Sequence, residues 1–150
     1  MKTLAVDPGD KRIGLAISDP TGTLARPLKV LQHEAREKDA QRIIDIAVEE
    51  GVGLILVGWA LDTEGEISFQ ARKSRRLADA IQEKTTLPVR MWDESGTTQE
   101  AIKTRIAMGV KRNKRRGHLD DLAASLLLQD FLNCTQKISK IKENTSAKEE

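Results

Sequence analysis

Residues 54–58, Leu-Ile-Leu-Val-Gly, carry no polar side chain and lie between two stretches of helical periodicity. A strand that is apolar on both faces belongs inside a sheet covered by helices on both sides, the usual setting of parallel strands in α/β proteins. The flanking segments fit that frame. From Glu34 to Glu50, Ile43, Ile44, Ala47 and Val48 gather on one side with charges on the other, and Ala71 to Lys84 is helical in turn before a further strand over 87–92. Upstream, 2–7 and 11–18 read as strands joined by the turn Pro8-Gly9-Asp10, and 23–31 as a third strand after Asp19-Pro20-Thr21-Gly22. Downstream, Thr97-Thr98-Gln99-Glu100 is a capping box opening a helix to about Met108, and Leu119 to Leu132 is another. The order βββαβαβαα predicts an α/β fold: an antiparallel meander plus parallel strands in one mixed five-stranded sheet, with helices on both faces.

The length of 150 residues, 39% of them hydrophobic, predicts a single domain over 1–134. The segment from Thr135 on is polar and highly charged and predicts a disordered tail, 135–150. Two Trp, two Phe and no Tyr offer almost no rings for a base-stacking platform, which leaves recognition of nucleic-acid backbone or shape open. Net charge is only +2, which makes charge placement more telling than charge balance. The lone Cys134 excludes an internal disulfide, and no secretory or membrane-spanning run is present. These features predict a cytoplasmic protein, monomeric or weakly homodimeric, with no membrane partner.

Three acids stand where elements end or begin. Asp7 closes the first strand, with a turn-forming role as the simpler alternative. Asp93-Glu94 closes the strand over 87–92, at the end of an open α/β sheet where sites gather; a solvated turn is the alternative. In the helix from Leu119, Asp120 shares an arc with Ala123, Ala124, Leu127 and Phe131, whereas Asp121 falls beside Ser125 and Gln129 on the side read as polar. A carboxylate on the packed arc costs several kcal/mol unless protonated, paired or cation-bound. Helix capping would account for Asp120 equally well. Converging, the three carboxylates would make a hard-oxygen site for Mg²⁺ or Mn²⁺. A pair of such ions about 4 Å apart can clamp a phosphodiester, one activating water and the other stabilising the leaving oxygen. No His-rich or Cys-rich spacing suggests zinc.

Five cations in six positions, Lys111, Arg112, Lys114, Arg115 and Arg116, immediately precede the Asp120 helix. They are either a solvated loop or a track for an anionic backbone leading to the acids. Lys11 and Arg12, just past the first turn, either hold that turn or meet phosphate.

With these residues assembled, the chain resembles the RuvX/YqgF family of resolvases and pre-16S ribosomal RNA nucleases, in the RNase H-like superfamily. The resemblance covers about residues 2–134. It rests on "VDPGDKRIGLA" (6–16), on "VGWALDTEGEISFQA" (57–71) with Gly58, Gly65 and Gln70 in place, and on "DDLAASLLLQDFL" (120–132). It implies that Asp7, Glu94 and Asp120 are catalytic metal ligands and that Lys11 and Arg12 are the family's basic pair. It departs from the family at Ser95, where an arginine is usual, and at Ala60, where proline is common; the first removes a planar fork able to grip phosphate or carboxylate. The implied activity is metal-dependent hydrolysis of structured nucleic acid, at the 5′ end of precursor 16S rRNA or on a ribosomal-subunit precursor. Cleavage of branched DNA and a catalytically silent RNA-binding assembly factor are the alternatives. An actin-like ATPase ranks last, since such folds close two domains over a nucleotide.

Overall fold

In the computed structural model the described residues are 1–59, 68–93 and 119–148, without the side chains of 119–121 and 142–148. They form one sheet of five strands, β1 (Thr3–Pro8), β2 (Arg12–Ser18), β3 (Ala25–Gln32), β4 (Leu54–Trp59) and β5 (Val89–Asp93), in the order β3-β2-β1-β4-β5. β3, β2 and β1 pair antiparallel, and β1, β4 and β5 pair parallel. The mixed sheet read from the sequence is therefore the sheet observed. The expected helix over 97–108 lies outside the described residues.

Helices α1 (Arg36–Glu50) and α2 (Phe69–Lys84) supply the two crossovers between parallel strands. Both pack on one face, where Leu4, Val6, Ile13, Leu15 and Ile17 of the meander meet Ile43, Ile44, Leu77 and Ile81. Val48, read with the apolar side of α1, is instead 69% exposed. α1 starts two residues later than its charge pattern suggests and ends at Gly51, whose φ of 68° is left-handed. There Gly51 N–H donates to Val48 O and Val52 N–H to Ala47 O, capping carbonyls that the helix leaves open. α2 starts two residues earlier, at Phe69, because the Ser68 hydroxyl accepts from Ala71 N–H.

The third described helix, α3 (Leu119–Lys148), covers the other face. Ala124, Leu127, Leu128, Phe131 and Leu132 pack on Ala5, Ala16, Leu54 and Leu56, and the small residues of both layers allow close approach. Trp92 of β5 meets Phe131 edge-on at 5.2 Å and donates its indole N–H to Asp130. Two expectations for this helix are corrected. Ser125 and Gln129 do not form a solvated side: Ser125 is 5% exposed, and Gln129 bonds Ala25 N–H and Thr23 O at the start of β3. Nor does the helix stop at Leu132, since residues read as a disordered tail continue it to Lys148. The continuation is tied at its base, where Gln136 reaches the Gly22 carbonyl and Thr135 bonds back to Phe131 O. Beyond that, Ile138 and Ile141 are exposed.

Candidate active site at the carboxyl end of the sheet

Asp7 is the next-to-last residue of β1, paired with Gly14, and is half-buried with its own interactions. Side chains alternate along a strand, so Asp7 shares the face of Ala5, the face under α3, while Leu4 and Val6 point to α1 and α2. After Pro8 the chain reverses through Gly9 to Arg12. Gly9 N–H donates to Arg12 O at 2.8 Å, and a Cβ on Gly9 would lie 2.6 Å from that same backbone oxygen, which is why the turn needs glycine. Lys11 and Arg12 are exposed on the turn, and the Lys11 carbonyl accepts from His33 N–H.

α3 runs antiparallel to β1. Its residues 131, 132 and 135 line one groove with Met1, Thr3 and Leu54 at the amino end of the strands. Gln129 is level with Ala25, which pairs with Ser18, whose hydroxyl accepts from Thr3 N–H. From Gln129 back to Asp120 a helix covers about 14 Å. From Thr3 to Asp7 a strand covers about 13 Å. The first turn of α3 therefore sits at the level of Asp7 and over the same face, one turn before buried Ala124.

β5 ends at this level too. Val6 is in register with Val57 and Val57 with Met91, so Asp93, opposite Trp59, lies two residues past Val6 and one past Asp7. Glu94 follows Asp93 in the chain and lies outside the described residues, as do Lys111, Arg112, Lys114, Arg115 and Arg116. For Asp120 the backbone alone is described. Among the described residues no three acids, histidines or cysteines cluster as a metal site. What the structure brings together is the set of carriers: the ends of β1 and β5 and the start of α3, at one end of one sheet.

A second acid near the turn was passed over in the sequence. Asp39 of α1 is 1% exposed. Its carboxylate binds His33 Nδ1, accepts from Arg42 Nη2 at 2.6 Å and from Glu34 N–H at 3.2 Å. Burial pushes this carboxyl up, but the hydrogen bonds from His33, Arg42 and the Glu34 amide together outweigh it and hold the group below its ordinary value. The signal was available, because Asp39, Ile43 and Ala47 fall four residues apart on the buried stripe of α1.

A five-stranded sheet in the order β3-β2-β1-β4-β5, antiparallel then parallel, with helices on both faces, defines the RNase H-like class of folds. Solved structures agree on the fold. RuvC of T. thermophilus in complex with a Holliday junction substrate superposes with a TM-score of 0.58 at 19% identity, over 91% of this chain and 96% of that one. The fowlpox virus Holliday junction resolvase gives 0.55 at 14%, over 89% and 99%. Within the class, the RuvX family model, described as Holliday junction resolvase, matches residues 1–134. A Desulforamulus reducens protein described as "Putative pre-16S rRNA nuclease" is 37% identical over 91% of this chain and 100% of its own. A Desulforudis audaxviator protein of the same description is 38% identical over 89% and 94%. The chain belongs to the RuvX family.

Proposed function

We propose that this chain is a metal-dependent nuclease that hydrolyses phosphodiester bonds of structured nucleic acid, with the 5′ end of precursor 16S rRNA as its substrate. The observation that carries the reading is the convergence of the Asp7 strand end, the end of β5 and the first turn of α3 at one end of the sheet, the first and last over the same face. Asp7, Glu94 and Asp120 are its metal ligands and catalytic acids. A donor set of carboxylates alone suits a hard divalent cation, Mg²⁺ or Mn²⁺, and the half-burial of Asp7 at a strand end suits a ligand held in one orientation. Held by these three carboxylates, a pair of such cations would supply a more acidic water and charge stabilisation for a leaving oxygen.

The chain's own residues position the substrate. Lys11 and Arg12, exposed on the turn that follows Asp7, meet phosphates that approach the acids. Lys111, Arg112, Lys114, Arg115 and Arg116 precede the Asp120 helix and track the backbone toward it. The catalytic unit is the 1–134 domain, acting in the cytoplasm as a monomer or weak homodimer. No helix among the described residues is long and apolar enough to cross a membrane.

The description of the matching family favours a second substrate, a four-way DNA junction. The deciding assay offers both substrates, end-labelled, to the wild type and to Asp120→Asn and Asp121→Asn at matched circular dichroism. Precursor rRNA is expected to be cut at one 5′ position by the wild type and by Asp121→Asn, and not by Asp120→Asn. Cutting of the junction alone would move the assignment to branched DNA. Binding of RNA without cutting of either substrate would make the chain an assembly factor, and equal loss in both variants would remove Asp120 from its role.

A further inference from the structure

Behind the β1–β2 turn, on the face opposite α3, a cleft of about 200 Å³ opens between the turn, the start of α1 and the first turns of α2. Pro8, Asp10, His33, Arg36, Gln70 and Lys73 are among its lining. Its size decides what it can hold. Sites for whole drug-sized ligands or cofactors occupy roughly 300–1,000 Å³, so this one takes a single small group and a few waters.

The chemistry of the lining selects the group. Asp39, 1% exposed, fixes the His33 ring by Nδ1; an ionised carboxylate only accepts, so Nδ1 carries the proton and Nε2 is the ring's remaining polar atom. Among the described residues nothing bonds Nε2 and nothing pairs with Arg36. Lys73 bridges to Asp10 at 3.4 Å, an exposed and long contact that a stronger anion can displace. Lys11 and Arg12 add two exposed cations on the same turn. The two acids described at the cleft differ: Asp39 is paired with Arg42 and hydrogen-bonded to His33, while Asp10 is largely solvated. Among the described residues the surplus is positive, in a small recess whose wall Gln70 braces by donating to Pro8 O at 2.9 Å.

We propose that this cleft is a binding site for a phosphate group, gripped by Arg36, Lys73 and the His33 ring, on the reverse side of the β1–β2 hairpin that carries Asp7. Arg36 supplies a guanidinium fork, Lys73 an ammonium that also lies 5.1 Å over the Phe69 ring, and His33 an Nε2–H when its ring is protonated. The phosphate is either a backbone group of a nucleic acid folded over the turn or a free small anion. Because Pro8 is both cleft wall and neighbour of Asp7, occupancy bears directly on the strand end at the candidate active site.

The test follows His33 ring ¹⁵N and Arg36 amide resonances during titration with inorganic phosphate, against sodium chloride of equal ionic strength and at the same pH. Saturable shifts at both are expected with phosphate and not with chloride. The double variant Arg36→Gln/Lys73→Gln, altered only at exposed positions, is expected to bind about tenfold more weakly or worse. A second arm uses an RNA oligonucleotide without terminal phosphates: shifts at His33 assign the site to backbone phosphate, and their absence beside a positive phosphate arm assigns it to a free anion. No saturable shift in either arm, equal shifts with chloride, or unchanged affinity in the double variant would overturn the proposal. The phosphate arm involves no cleavage, so the site and the nuclease reading can fail separately.

Discussion

Asp7 and Asp39 are acids on opposite sides of one turn, and their surroundings separate their roles. Asp39 is sealed in and committed to His33, Arg42 and the Glu34 amide, so its charge serves the fold. Removing it with Asp39→Ala should cost about 2 kcal/mol in urea unfolding. That is below the 3–5 kcal/mol typical of a fully buried pair, because His33 and Arg42 are 43% and 33% exposed and water partly replaces the missing partner. Its pH dependence has a definite sign. The folded carboxyl lies below its ordinary value of 3.8, so the stabilisation is complete above that value and fades as pH falls through the lowered one. Between about pH 5 and pH 2.5, a window in which carboxylates are the groups that titrate, Asp39→Asn should flatten the fall in unfolding free energy. It should not abolish it, because Asp19, whose carboxylate takes hydrogen bonds from Thr21 and from the Leu24 and Thr23 amides, is held down to about 2 and acts in the same direction. An unchanged acid slope would show that Asp39 holds its proton alike in the folded and unfolded states, against a carboxyl lowered by its hydrogen bonds.

The β1–β2 hairpin is the element on which both proposed sites depend. Gly9→Ala puts a methyl group 2.6 Å from Arg12 O, a backbone atom that cannot rotate away. The turn must open, at about 1–3 kcal/mol, and thermal melting should show the destabilisation; an unshifted melting curve would mean the turn adapts without strain. This hairpin was the most legible part of the sequence, since Pro-Gly-Asp between two apolar runs admits little else. The continuous run 54–58 was as clear, because a strand buried on both faces has one place to go. α3 was read less well. Its pattern marks which residues are apolar but not which polar ones a neighbouring strand will satisfy, so Ser125 and Gln129 looked solvated while β3 was waiting to bond Gln129. Its extension to Lys148 was hidden for the opposite reason, since a helix held at its base by Gln136 and Thr135 needs no apolar stripe farther on. Asp39 was missed although it is, like Asp120, an acid on a helix stripe of apolar residues. Of the candidate site, the sequence offers three acids as expectations, and the structure adds that the ends of β1 and β5 and the start of α3 reach one end of the sheet.

For the molecule as a whole, the proposed function divides substrate binding between steering by cations and chemistry at the acids. Changing Lys111, Arg112, Lys114, Arg115 and Arg116 together to Gln should weaken RNA binding evenly across sequences. It should also reduce the slope of log affinity against log salt by roughly 0.7–0.9 for each phosphate that is no longer neutralised, while cleavage at saturating substrate changes less. An unaltered slope would leave these residues a solvated surface and bring the strand in past Lys11 and Arg12.

The central claim, that the ends of β1 and β5 and the start of α3 build one cation-holding hydrolytic centre, is tested most directly by paramagnetic broadening with substoichiometric Mn²⁺. Amide signals of Val6–Gly9, of the end of β5 and of the first turn of α3 should disappear first, those of the Asp19–Leu24 turn should persist, and Asp7→Asn should restore the broadened signals. Broadening centred on Asp19, on the Glu34–Asp39 corner or on no defined place, or broadening at the sheet end that survives Asp7→Asn, would contradict the account.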